Sequence, residues 1–438
     1  MRKNLLKHYL TKIYKFEKEV LSMKIGFVSL GCSKNLVDTE MMIKFYQDRG
    51  NEIVSNPAEA EMIIINTCGF IETAKKEAID TILEMASYKE IGKCETLVVT
   101  GCLVERYLEE LQKELPEVDL FIPIRDYDKV FEKLDFKNRT ITTGDFAYLK
   151  IAEGCSNNCT YCAIPYIRGK YVSRPFEDII EEAKELYKAG YKEIIVIAQD
   201  TTKYGIDLYG KARLPELLKE LSKINFMWIR FLYAYPESIT DELIEVVKNC
   251  DNVCNYFDIP VQHISDTVLK RMGRHTNSEA IYSVISKLRR KIPNVILRTS
   301  LIVGFPGETE EDFEELKEFV KVTKFDRLGV FKYSIEDGTP AEKLDGHMDE
   351  SIKEERRNEI MEIQQKISKE KNEEIIGKEL ECKIDSKAEF GYIARSYRDV
   401  PDEDGLVFIE TSKEHSTGDI VLAKITNAEE YDLIAEEI

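Results

Sequence analysis

The sequence predicts a multidomain α/β protein that ends in a small antiparallel β-barrel. Three observations carry this. Strand-like apolar runs alternate with helical patterns from residue 23 to 138. The alternation resumes near Tyr148 for six further units. From residue 371 the chain breaks into short strands separated by turn residues. Strand–helix alternation implies parallel sheets covered by helices. A length of 438 residues accommodates several domains.

In the first unit "KIGFVSL", "EMIIINT" and "TLVVT" precede helical patterns at 37–49, 71–88 and 104–114. In the second, the strands are "AYLKIA", "EIIVIA", "MWIRFLY", "VCNYFDI", "VILRTSLIV" and "RLGVFKYS", with Lys- and Glu-rich helical patterns between them. Six βα units predict a partial or complete α/β barrel, whose chemistry sits at the carboxyl ends of its strands. A charged helical pattern over 350–374 reads as a linker. "ELECKID", "GYIARSY", "GLVFIE", "DIVLAKIT" and "YDLIAEE" then read as a small OB-like barrel.

Hydrophobic residues are 43% of the chain and charged residues 33%, which is ordinary for a soluble globular protein. No apolar run is long enough to span a bilayer. The first 22 residues carry six Lys/Arg and two Glu without a continuous apolar core. They read as an extension and not as a secretory signal, with Met23 an alternative start. A cytoplasmic, membrane-free protein is expected. In a reducing compartment ten cysteines point to metal or catalysis more than to disulfides. The net charge of −19 argues against a simple nucleic-acid binder and favours a basic partner.

Residues 153–165 read "EGCSNNCTYCAIP". Cys155, Cys159 and Cys162 follow the first barrel strand and so fall at its carboxyl rim. Their spacing also fits one helix face, as small core residues. Gly154, Asn157, Asn158 and Pro165 favour a loop instead. Structural zinc and a fully protein-bound [4Fe–4S] cube each want four ligands. Three thiolates leave one iron open to a substrate or cofactor.

Cys32, Cys68 and Cys102 also follow strands, at intervals of one βα unit. In an open parallel sheet such positions share one edge. Either each is a small buried residue, or the three converge on a second cluster with an open iron. Cys94, Cys250, Cys254 and Cys382 read as structural. His263 in "PVQH" reads either as an active-site group or as a core histidine.

The Cys-x3-Cys-x2-Cys pattern with Tyr161 before its last cysteine resembles the radical S-adenosylmethionine enzymes. That resemblance implies S-adenosylmethionine chelated to the open iron and cleaved by one electron to a radical that abstracts hydrogen. It implies Gly304 and Gly307 of "LIVGFPGE" (301–308) near the adenosine, and Gln199 and Asp200 of "IAQDTTKYG" (197–205) near the methionine amino group. It further suggests Arg298 for the methionine carboxylate. The last three also fit satisfied polar residues of a barrel.

With both tri-cysteine sets, the chain from 23 to 438 resembles the methylthiotransferases. This implies an extension (1–22), an N-terminal α/β domain (23–138), a radical S-adenosylmethionine core (141–370) and a terminal TRAM domain (371–438). It implies two [4Fe–4S] clusters, the second holding sulfur, and a low-potential electron donor of flavodoxin or ferredoxin type. One S-adenosylmethionine would supply the methyl group and another the radical. "SLGCSKNLVDTE" (29–40), "AQDTTKYG" and "SYRDVPDEDGLVFIE" look like the branch that modifies an aspartate of small-subunit ribosomal protein S-twelve. The branch that modifies tRNA adenosine usually has Gln-Met in place of Ser33-Lys34, so no direct tRNA substrate is expected. A non-catalytic iron–sulfur carrier is the reading from another class.

Residues 371–438 hold eight Lys/Arg and eighteen Asp/Glu, a balance of 8 − 18 = −10. The expectation is that this acidic barrel docks the basic ribosomal protein, with Asp402, Glu403 and Asp404 in the docking cluster.

Overall fold

The computed structural model describes residues 22–131 and 134–438. The expected extension at 1–22 therefore lies, but for its last residue, outside the described residues.

The first unit is a five-stranded parallel sheet of β1 (Lys24–Ser29), β2 (Glu52–Val54), β3 (Met62–Thr67), β4 (Thr96–Gly101) and β5 (Leu120–Ile122), in the order β2-β1-β3-β4-β5. Every residue of β3 is buried. The alternation of a strand sends Ile63 and Ile65 to one face, against Ala78, Ile82 and Met85 of the helix Glu72–Ile91. Met62 and Ile64 go to the other, against Met42 and Tyr46 of the helix Ser33–Gln47. Helices thus cover both faces, as the near-continuous apolar strands require. The edge strands β2 and β5 have three residues each and gave no sequence signal.

The second unit contains β6 (Phe146–Lys150), the ribbon of β7 (Ala152–Glu153) and β8 (Val172–Ser173), and then β9 (Glu193–Ile197), β10 (Trp228–Phe231), β11 (Tyr256–Asp258), β12 (Ile296–Val303) and β13 (Arg327–Lys332). The parallel arcs β6-β9-β10 and β11-β12-β13 meet through a bridge between Ile229 and Val253. All six expected barrel strands are present. Ile194 and Val196 face outward to the helices. Ile195 and Ile197 face inward, where Val37 and Met41 of the first unit and Val400 of the last reach them. Both flanking units therefore complete the inner wall.

The helix Glu350–Glu373 is not a linker. Ile360 and Ile367 join the barrel's outer core, and the Gln364 amide donates to the Phe325 carbonyl at 2.9 Å. The last unit is a closed barrel of β14 (Glu379–Ala388), β15 (Gly391–Ser396), β16 (Val407–Glu410), β17 (Ile420–Ala428) and β18 (Leu433–Glu437). Its pairs are antiparallel except β16–β18, which is parallel. Arg230, Lys383 and Arg395 converge on Glu193 and lock this barrel to the larger one. Burial opposes ionisation of Glu193, but Arg395, Lys383 and Arg230 outweigh it and hold its carboxyl far below the usual range. Among the described residues no helix is long and apolar enough to cross a membrane.

Candidate active site at two thiol triads

The barrel triad sits in a loop, as Gly154 and the two asparagines predict. The ribbon β7–β8 frames it, and the helix Ile164–Arg168 ends it. Gly154 has φ 71° there, and a Cβ would lie 2.2 Å from the Lys170 carbonyl oxygen, so no other residue fits. The Cys155 amide donates to the Gly169 carbonyl at 3.1 Å. The Thr160 amide and hydroxyl donate to the carbonyls of Met272 and Arg271. Asn157 joins the loop to β9 by donating to Asp200 at 2.9 Å and accepting from Lys203.

Cys155 and Cys159 lie close enough to Cys162 to oppose its ionisation. Burial pushes the Cys162 thiol up to about 12, and Cys159 and Cys155 add to the effect. The Arg274 guanidinium lies 3.9 Å from the Cys159 sulfur and 4.2 Å from the centre of the Tyr235 ring. Its Nε has no partner among the described residues. Tyr161 packs edge-on against Phe305 at 6.4 Å, which joins the loop to the end of β12.

The second set of cysteines follows neighbouring strands. β1, β3 and β4 are neighbours, so Cys32, Cys68 and Cys102 follow adjacent strand ends. A Cβ on Gly31 would stand 3.0 Å from the Cys68 sulfur. Asn35 nests among these ends, donating to the carbonyls of Leu30 and Thr67, both at 3.0 Å. Burial pushes the Cys102 thiol up to about 12; Arg168 opposes this, while Cys32 and Cys68 reinforce it.

Arg168 joins the two triads. Its guanidinium lies 3.6 Å from the Cys102 sulfur and binds Asp38 at 2.8 Å, Glu153 at 3.1 Å and Asn35. Lys150 completes the junction, bonding Asp38 and Glu153. Neither Arg168, Arg274 nor Asn35 was singled out by the sequence, because partners from separate units define them.

The structure corrects several expectations. Arg298 is not free for a cofactor carboxylate: it pairs with Asp258 at 3.2 Å and Glu403 at 2.5 Å, and faces Asp404 at 3.6 Å. Asp200 is fully buried, with one oxygen on Asn157 and the other capping the turn at Thr202. Gly304 and Gly307 have φ of 70° and 81°, and a Cβ there would meet the side chains of Lys353 and Arg271. His263 is a core residue: its Nδ1 accepts from the Ser265 amide at 3.0 Å, and burial holds its pKa at about 3. Glu403 and Asp404 are engaged by Arg298 and Tyr256 at a domain junction, whereas Asp402 of the same cluster is exposed. Gln199 keeps a suitable position at the end of β9. Its amide donates to Glu153 at 3.3 Å, and its buried Oε1 has no partner among the described residues.

The donors suit an iron–sulfur cluster. Each set is made of soft thiols without a competing carboxylate or imidazole ligand. Among the described residues no three His, Cys, Asp or Glu side chains gather tightly enough for a single ion. A multi-iron body accommodates wider spacing than one ion does.

Known families match three stretches: the radical SAM superfamily over 149–320, Uncharacterized protein family UPF0004 over 24–123, and the TRAM domain over 376–438. The chain is 55% identical to the ribosomal protein uS12 methylthiotransferase RimO of Alkaliphilus oremlandii, over 94% of this chain and 99% of that one. The chain belongs to the RimO family. RimO of Clostridioides difficile strain 630 is 50% identical over 94% of this chain and 98% of its own. This bears out the resemblance to radical S-adenosylmethionine methylthiotransferases. Among solved structures, the methyltransferase TsrM of Kitasatospora setae, with cobalamin and a [4Fe-4S] cluster bound, matches with a TM-score of 0.52. The match covers 73% of this chain and 77% of that one at 13% identity, a likeness of fold.

Proposed function

We propose that this RimO-family chain replaces a hydrogen on the β-carbon of an aspartate of ribosomal protein uS12 with a methylthio group. The observation that carries the reading is the pair of thiol triads at strand ends, joined through Arg168, in a chain 55% identical to a RimO. In this reading Cys155, Cys159 and Cys162 hold one [4Fe–4S] cluster, and Cys32, Cys68 and Cys102 hold a second. When bound, these clusters and S-adenosylmethionine supply one-electron cleavage, sulfur and a methyl group.

The chain's own residues hold and orient. The loop clamped by Thr160 fixes the barrel thiols, and Asn157 ties it to β9. The free Gln199 Oε1 supports the assignment of this residue to the methionine ammonium, which offers hydrogen-bond donors. Tyr161 packs against the cluster that holds Phe305 and Tyr333 and so steadies the loop. Arg168 and Arg274 supply fixed positive charge beside thiolates, where low dielectric strengthens it. The units 23–138, 141–370 and 371–438 divide the work among sulfur holding, radical formation and substrate docking. The acidic surplus of the last unit supports a basic protein partner over RNA. A low-potential flavodoxin or ferredoxin supplies electrons.

Mass spectrometry of uS12 and of tRNA from a deletion strain tests the proposal. Loss of the methylthio group from uS12 supports it. Loss from tRNA alone, with uS12 unchanged, contradicts it. A mere carrier would leave both unchanged.

A further inference from the structure

Lys34 carries a buried ammonium that forms no ion pair among the described residues. It is the second residue of the helix Ser33–Gln47, two positions after Cys32, and is 6% exposed. Its Nζ stands 3.3 Å from the centre of the Tyr233 ring. The Tyr233 backbone is fixed, with its amide donating to Asp258 at 2.9 Å. Glu403, the acidic side chain nearby, gives its carboxylate to Arg298. Burial opposes this charge, but Tyr233, Cys32 and Glu403 outweigh it, so the ammonium is a fixed cation able to receive an anion.

Two further features point to the same ligand. The helix has no side-chain cap at Cys32 and no acidic residue in its first turn, so its amide end is unneutralised. The Ser33 hydroxyl beside it is shielded from water and has no partner. An ammonium, a free hydroxyl and a helix amino end together suit one carboxylate. Cys32 itself is exposed.

Resting on the uS12 reading, we infer that Lys34, with Ser33, grips the side-chain carboxylate of the target aspartate. The β-carbon of an aspartate is bonded directly to that carboxylate. A grip at Lys34 therefore sets the reacting carbon beside Cys32 and its partners. A glutamate would place its β-carbon one bond farther away, and an asparagine would offer no charge.

The test compares binding of uS12 carrying Asp, Asn or Glu at the target position, by fluorescence anisotropy, to cluster-loaded wild type, Lys34→Met and Lys34→Arg. Iron content and the cluster spectra of each variant report whether it is folded and loaded. The wild type should bind the Asp protein about tenfold or more tighter than the Asn protein, as expected for a close charge pair. Lys34→Met should bring that ratio near one, and Lys34→Arg should keep most of it. Equal wild-type binding of Asp and Asn proteins overturns the inference, and that comparison needs no variant. So does a Lys34→Met enzyme that keeps the wild-type ratio. Failure of the wild type to methylthiolate uS12 at all would instead overturn the underlying reading.

Discussion

The Arg168 guanidinium lies 3.6 Å from the Cys102 sulfur. Arg168 ends the short helix after the barrel's cysteine loop, and Cys102 begins a helix of the first unit. One side chain thus ties both thiol sets together, and its charge is balanced by buried Asp38 and by Glu153. Arg168→Leu should leave Lys150 as the one cation for two carboxylates and destabilise the protein by up to about 3–5 kcal/mol. Denaturant unfolding checks this. Iron bound by the Cys32 set should fall as well, and Arg168→Lys should lose less of both.

The two triads should separate by substitution. Changing Cys155, Cys159 and Cys162 to Ala should halve the iron and abolish reductive cleavage of S-adenosylmethionine. Changing Cys32, Cys68 and Cys102 to Ala should also halve the iron yet retain cleavage, without sulfur insertion. Iron assay and product chromatography distinguish these outcomes. Full iron in either triple variant contradicts the assignment.

Gly154→Ala should damage the barrel triad without touching a thiol. The position combines φ 71° with a Cβ 2.2 Å from the Lys170 carbonyl oxygen. Backbone strain of this kind costs about 1–3 kcal/mol before the clash is counted. The reconstituted variant should lose iron from this set first, as read by the cluster's spectrum.

His263 should make the fold acid-sensitive. Burial holds it at about 3, against an ordinary value near 6.5, so it is neutral when folded. Between those values the unfolded chain binds the extra proton. Stability should therefore fall as pH drops below about 6.5, with a slope of at most about 1.4 kcal/mol per unit from this group. Unfolding of His263→Gln over the same range should be flatter. An identical pH profile would contradict the assignment.

Much of this architecture was legible. Both triads could be read because each cysteine immediately follows a strand and parallel strand ends share an edge. The six barrel strands were legible from apolar runs such as Glu193–Ile197. Arg298 was misassigned because a strand position says nothing of Glu403 and Asp404, a hundred residues later, which fold back onto it. The close packing of Lys353, from a distant helix, against Gly304 was not legible, because only the fold brings them together. The helix Glu350–Glu373 looked like a solvated linker because its apolar contacts are few, Ile360 and Ile367 among them. Arg168 and Lys34 acquire their meaning only from the meeting of units.

The central claim is that this chain removes a hydrogen from the β-carbon of an aspartate in uS12 and puts a methylthio group there. The most direct measurement uses uS12 deuterated at aspartate β-carbons, with reconstituted protein, S-adenosylmethionine and reductant. Mass spectrometry then follows both uS12 and the 5′-deoxyadenosine released. The account predicts deuterium in the 5′-deoxyadenosine and a methylthio group on the same aspartate. Methylthiolation without deuterium transfer, or deuterium-free 5′-deoxyadenosine with unmodified uS12, would contradict it.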